Sequence, residues 1–198
     1  MSDGPASLPP IAEGSGTLYL VRHGEAAASW GQSPDPGLSD LGREQASTTC
    51  ATLAEALDPG KLRIVSSPLL RARETAAPLV DCLGRPLEID ERFREIPSPV
   101  PLAERQTWLR GFMQGRWSDQ ADELKAWRHG ILEAVSELPD GCVVFTHFLV
   151  LNTVVGWIEG RDETLSFWPA NASVTRLSAE AGLPWQVERG EQMRSRVN

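Results

Sequence analysis

Short apolar runs alternate along this sequence with longer stretches of helical spacing. Thr17-Leu18-Tyr19-Leu20-Val21 is apolar and β-prone and predicts a buried strand. A loop rich in Gly, Ser and Pro covers 29–38. The spacing then predicts a helix capped by Ser39 and running to about residue 57, where Asp58-Pro59-Gly60 stops it. Leu62-Arg63-Ile64-Val65 predicts a second strand that ends at Ser66-Ser67. Ser67-Pro68 has the form of an N-cap followed by proline at the first helical position. Ala72, Ala76, Leu79 and Leu83 carry that helix to Gly84. Leu87-Glu88-Ile89 predicts a short strand, and 95–101 a loop stiffened by Pro97, Pro99 and Pro101. Residues 102–138 read as helical with a break near Gly115, and Leu124, Trp127, Ile131, Val135 and Leu138 form one apolar stripe. Pro139-Asp140-Gly141 turns the chain into the buried strand Cys142-Val143-Val144-Phe145-Thr146, which a helix over 149–157 follows. Strands over 173–177 and 185–188 complete the pattern.

Strands alternating with helices predict an α/β fold with a mostly parallel central sheet. No internal repeat or boundary interrupts it, so the chain reads as a single domain over 17–190 with a helical, lid-like insertion at 102–138. Residues 1–16 read as a flexible leader, and 191–198 as a flexible tail. In such sheets ligands bind beyond the carboxyl ends of the strands. His23 and His147 each follow a strand directly, so both could open onto one crevice.

Composition narrows the partners. The 198 residues are 41% apolar, an ordinary globular value, with a net charge of −8. That balance argues against nucleic acid and against an anionic membrane surface, which need clustered cations. It does not argue against a small phosphorylated substrate held by a few converging arginines, and it leaves a homodimer open. No run approaches the ~18 apolar residues of a membrane span, and 1–16 lack both the basic start and the apolar run of a secretory signal. Cys50, Cys82 and Cys142 are odd in number and fit no metal knuckle or disulfide framework. They read as reduced thiols in a cytoplasm.

Arg22-His23, Arg71, Glu95 and His147 stand at the ends of predicted elements. Together they hold what phosphoryl transfer through a histidine needs. A neutral imidazole nitrogen attacks phosphorus, and cations neutralise the equatorial oxygens. Arg22 and Arg71 offer planar forks that match phosphate. His147, if protonated, adds a third donor, and the start of the helix after Pro68 adds its dipole. A carboxylic acid must protonate the leaving oxygen and then accept a proton from water. Glu95 is the candidate, with Glu91 the alternative, and its pKa would have to be raised.

Leu20-Val21-Arg22-His23-Gly24-Glu25 resembles the signature of the histidine phosphatase superfamily, also called phosphoglycerate mutase-like. Leu38-Ser39-Asp40-Leu41-Gly42-Arg43-Glu44-Gln45-Ala46 is similar to its next segment. Ser66-Ser67-Pro68-Leu69-Leu70-Arg71-Ala72-Arg73-Glu74-Thr75-Ala76 is similar to its second arginine motif. Phe93-Arg94-Glu95 and Phe145-Thr146-His147 fall where its general acid and second histidine would be. The resemblance implies a three-layer α/β/α sandwich of phosphoglycerate mutase-like type. It implies that His23 carries the phosphoryl group, that Arg22, Arg71 and His147 clamp it, and that Glu95 donates the proton, with no metal or other cofactor. Ser29 stands where the family often has a phosphate-binding asparagine, so it is carried as a phosphate-binding candidate. Ala26, Ser29, Phe148 and the run Ile96-Pro97-Ser98-Pro99 depart from the usual pattern, so the substrate is not carried over.

The expected activity is metal-independent hydrolysis of a small metabolite's phosphomonoester through a phosphohistidine. The alternatives are a phosphoglycerate-type mutase, a phosphatase of protein phosphohistidine, and a non-catalytic scaffold that kept the fold. A second Arg-His-Gly, at 128–130, falls inside a predicted helix, with His129 opposite the apolar stripe and near Asp122 and Glu133. It reads as solvated and structural. Trp108, Trp117 and Trp127 read as core or a packed lid, with an apolar wall for the substrate as the sharper alternative.

Overall fold

The computed structural model describes residues 16–28, 33–60, 62–180 and 183–193. The leader expected over 1–16 lies outside them except for Gly16, and Ser29 also lies outside. Six strands, β1 (Gly16–Arg22), β2 (Ile64–Ser66), β3 (Leu87–Ile89), β4 (Cys142–Thr146), β5 (Val174–Ala179) and β6 (Gln186–Glu188), form one sheet in the order β3-β2-β4-β1-β5-β6. The pairings β3–β2, β2–β4 and β4–β1 are parallel, while β1–β5 and β5–β6 are antiparallel.

Alternation along the strands sorts side chains onto the two faces. Val21, Ile64, Val143 and Phe145 pack against α1 (Asp40–Ala56) and α2 (Leu70–Leu83). Leu18, Leu20, Val65 and Val144 pack against α4 (Asp122–Ser136) and α5 (Phe148–Ile158). The sheet is thus the middle of three layers. The insertion forms a 3₁₀ turn (Leu102–Glu104), α3 (Arg105–Phe112) and α4, with the expected break between the helices. Ile96, Leu109, Phe112, Trp117 and Leu124 cluster on Phe148 and Leu149 at the start of α5, so the insertion roofs the end of β4. Trp117 is 2% exposed and stacks on Trp127 with 6.2 Å between ring centroids, which fits the packed-lid reading.

Two expectations need correction. Ser67-Pro68 does not open α2, which starts at Leu70. Ser67 Oγ lies 2.6 Å from His147 Nε2, and the Leu70 N–H donates instead to Asp35 Oδ1 at 2.9 Å. Of the tail expected over 191–198, residues 191–193 are bonded to the body of the chain and 194–198 lie outside the described residues. The Glu191 carbonyl accepts from the Ala170 N–H, Gln192 bridges Pro169, and the Met193 N–H donates to the Trp168 carbonyl.

Candidate active site

Strand register brings the candidate residues together. Arg22 pairs with Thr146, and Ser66 with Phe145. Beyond the strands the His23 N–H donates to the Thr146 carbonyl and the Ser67 N–H to the Phe145 carbonyl, each at 2.9 Å. β1, β4 and β2 therefore end level, and His23, His147 and Ser67 leave the sheet side by side at its carboxyl edge. Arg71 arrives on the first turn of α2. Glu95 follows a 3₁₀ turn (Glu91–Phe93) that Thr146 Oγ1 pins by donating to the Phe93 carbonyl at 2.9 Å.

The loop after His23 is tied to both helices on its side. Thr75 Oγ1 accepts from the Gly24 N–H at 3.0 Å, and Gln45 Oε1 accepts from the Glu25 N–H at 2.9 Å. Ser39 caps α1 and donates to Glu25 Oε1 at 2.7 Å. A Cβ on Gly24 would lie 2.5 Å from the Gly42 carbonyl oxygen, so glycine is required there by the close approach of α1.

His23 is 4% exposed, Arg22 and Glu95 6%, Arg71 5% and His147 0%. The His23 and His147 ring centroids are 5.2 Å apart. Nδ1 of His23 lies 2.7 Å from the Gly24 carbonyl oxygen and must be its donor. In the neutral ring Nε2 then keeps its lone pair, and it accepts from Arg71 Nε at 3.1 Å. Arg22 Nη1 donates to the Pro169 carbonyl at 2.7 Å, and the guanidinium lies 5.1 Å over the Phe148 ring. Such a contact is worth about 0.5–2 kcal/mol. It gives a role to Phe148, one of the departures from the family pattern. Arg22 Nε and His147 Nδ1 are buried with no hydrogen-bond partner among the described residues.

Burial, then Arg71 and Arg22, holds the His23 pKa well below its usual value, so the ring is neutral. Burial, then Arg71, does the same to His147, which is therefore neutral in the resting site rather than a resident cation. Arg22 falls to about 10, through burial, and stays charged at neutral pH. Burial raises the Glu95 pKa, against hydrogen bonds from backbone N–H groups and the nearby Arg71 and Arg105. Glu91 is solvent-facing, its side chain 74% exposed and 3.7 Å from Arg94, so it does not belong to this cluster.

Three groups here escaped the sequence reading. Asp35 lies 3.8 Å from Arg71 Nη1 and caps α2 from a distant loop. Arg105, at the start of α3, donates to the Ile96 carbonyl at 3.3 Å and shares with Arg71 a cavity of about 20 Å³ at the edge of the site. Ser67 meets His147. For Asp35 and Arg105 the only advance signal was residue type, while Ser67 stood in the second arginine motif but was read as a helix cap. The larger cavity, about 840 Å³, lies between α1 and the segment 170–193, and none of the five candidate residues lines it.

The family model of the histidine phosphatase superfamily (branch 1) matches residues 18–192. A probable phosphoglycerate mutase GpmB of Shigella boydii is 31% identical over 204 residues, covering 86% of this chain and 90% of that protein. A glucosyl-3-phosphoglycerate phosphatase of Mycolicibacterium vanbaalenii is 44% identical over 82 residues, which span 39% of this chain but only 35% of that protein. Among solved structures, a mycobacterial glucosyl-3-phosphoglycerate phosphatase with VO3 superposes with a TM-score of 0.68 at 22% identity, over 90% of this chain and 100% of that one.

Proposed function

The chain belongs to the histidine phosphatase superfamily, and from that membership we propose that it hydrolyses a phosphomonoester of a small metabolite through a phosphohistidine on His23. The observation that carries this reading is the state of His23. Its Nδ1 proton is committed to the Gly24 carbonyl, which leaves the Nε2 lone pair, held at rest by Arg71 Nε, as the nucleophile.

In the first step Nε2 attacks phosphorus and the bond to the leaving oxygen breaks. Glu95, whose protonated form burial favours, gives its proton to that oxygen. Arg71 Nε, which occupies the lone pair at rest, must turn to a phosphoryl oxygen as substrate enters. Arg22 is held in place by Pro169 and Phe148 and presents its remaining N–H groups. In the second step water attacks the phosphohistidine, the ionised Glu95 takes its proton, and phosphate leaves with His23 neutral again. The arginines supply the positive charge that this route needs, so no step calls for a metal ion.

Arg22, His23, Arg71, Glu95 and His147 are each at most 6% exposed, a burial that favours a small substrate over a phosphohistidine on a protein surface. A mutase is the second reading, favoured by the relative named as one over 90% of its length. Free thiols at Cys50, Cys82 and Cys142 support a reducing, cytoplasmic compartment.

The test is a panel of phosphorylated metabolites with chelator present, combined with rapid quenching. Phosphate release together with an acid-labile phosphoprotein that His23→Ala lacks supports hydrolysis. Transfer of the label to a second hydroxyl compound instead of water supports the mutase. No turnover and no trapped phosphoprotein would sink both.

A further inference from the structure

Ser67 has no part in the steps above, and it is not the helix cap that its sequence suggested. It is fully buried at the end of β2, and its Oγ meets two groups among the described residues. The Leu69 N–H donates to it at 3.3 Å, and His147 Nε2 lies 2.6 Å away. The Leu69 contact takes one of the oxygen's two lone pairs, and the buried hydroxyl hydrogen has no acceptor among the described residues other than His147 Nε2. A neutral imidazole has one N–H and one acceptor nitrogen. A hydroxyl that donates to Nε2 makes it the acceptor, so the ring proton sits on Nδ1. That nitrogen is buried and has no partner among the described residues. Its ring is 5.2 Å from that of His23.

We propose that Ser67 is a positioning residue that fixes His147 as its Nδ1–H tautomer, so that the neutral ring gives its one N–H to a phosphoryl oxygen on His23. The proposal rests on the phosphatase reading of the site. The opposite tautomer would spend the N–H on Ser67 and turn a lone pair toward negatively charged oxygens. The hydroxyl therefore decides whether the second histidine attracts or repels the transferring group.

The experiment is a long-range ¹H–¹⁵N correlation spectrum of the resting protein. The chain has only 3 histidines, so His23→Gln and His129→Gln spectra assign the His147 ring. The expected result is a protonated Nδ1 and a bare Nε2 in wild type, with that preference lost in Ser67→Ala. Kcat of Ser67→Ala on p-nitrophenyl phosphate should fall about tenfold or more. A wild-type ring protonated on Nε2 overturns the proposal, and so does a folded Ser67→Ala protein with kcat within about twofold of wild type. The wild-type spectrum is decisive even if the variant does not fold. It is read without turnover, so a failed phosphatase assay and a failed tautomer assignment remain separate outcomes.

Discussion

Arg-His-Gly occurs twice in this chain, and the two copies are built in opposite ways. In the first, Arg22 and His23 are both buried at the end of β1, and the histidine ring sits between a backbone carbonyl and a guanidinium. In the second, on α4, Arg128 is buried with its guanidinium 4.9 Å over the Trp117 ring. His129 keeps 28% of its side chain exposed and lies 3.2 Å from Glu133 Oε1, one helical turn on. The tripeptide alone therefore carries no chemistry. A strand that ends at a sheet edge sends the side chains that follow it into the crevice with those of its neighbours. A helix sends successive residues to different faces, which here splits arginine from histidine.

The sharpest way to break this contrast is to remove each imidazole. His23→Ala should lower kcat/KM on p-nitrophenyl phosphate by about 10⁴-fold or more. His129→Ala should stay within about twofold. Equal losses from the two would mean that the strand-end copy is not special.

Glu95 comes next, because it supplies the proton that His23 chemistry needs. Glu95→Gln should lower kcat by about 10²–10⁴-fold, while exposed Glu91→Gln stays near wild type. The folded-state pKa of Glu95 is raised by burial, so the acid form needed first persists above the ordinary carboxylate range. kcat/KM should therefore decline as pH rises through that raised value, and the Gln variant should lack this limb. Linkage gives a second sign. A carboxyl with a raised folded pKa contributes stability below its unfolded pKa, and this is lost as pH rises through the folded value. Glu95→Gln should thus melt higher than wild type at neutral pH, and the gain should vanish in acid. A gain that does not change with pH would separate this effect from burial of the charge.

The pattern of strands and helices was legible because β1, β2 and β4 are short buried apolar runs with turn residues at their ends. Arg22, His23, Arg71, Glu95 and His147 could be picked out because each stands near the end of a predicted element; parallel register then brings Arg22, His23 and His147 together, while Arg71 arrives on α2 and Glu95 after a 3₁₀ turn. The start of α2 was misread for a tertiary reason. Ser67 bonds the histidine that follows β4, and the helix takes its cap from Asp35 in a separate loop. Arg105 and Asp35 were invisible for the same reason, since Arg105 approaches Arg71 from the start of α3 and Asp35 from a loop, and no local pattern encodes either approach. Arg128 was overlooked beside its histidine because a buried guanidinium over an indole needs Trp117 to arrive from the turn before α4.

The glycines of the two copies give the finer tests. Neither Gly24 nor Gly130 is among the positive-φ glycines, so space and not backbone handedness separates them. Gly24→Ala would push a methyl to 2.5 Å from the Gly42 carbonyl oxygen and force the His23 loop away from α1. The expected cost is roughly 1–3 kcal/mol of stability and about tenfold or more in kcat, because the nucleophile shifts. Thermal melts and initial rates check both.

The smallest effect should carry the opposite sign. Gly130 lies inside α4, and a Cβ built on it meets nothing within 4 Å. Alanine there removes conformational freedom from the unfolded chain and adds no clash, so Gly130→Ala should stabilise by about 0.5–1 kcal/mol. For a chain of this size that is about 2–4 °C in Tm per kcal/mol, with kcat unchanged. The same substitution in the same tripeptide would then stabilise one copy and damage the other. If Gly130→Ala instead lowered Tm, α4 would need room at that position that the static packing does not show, and the roof over the site would have to move there.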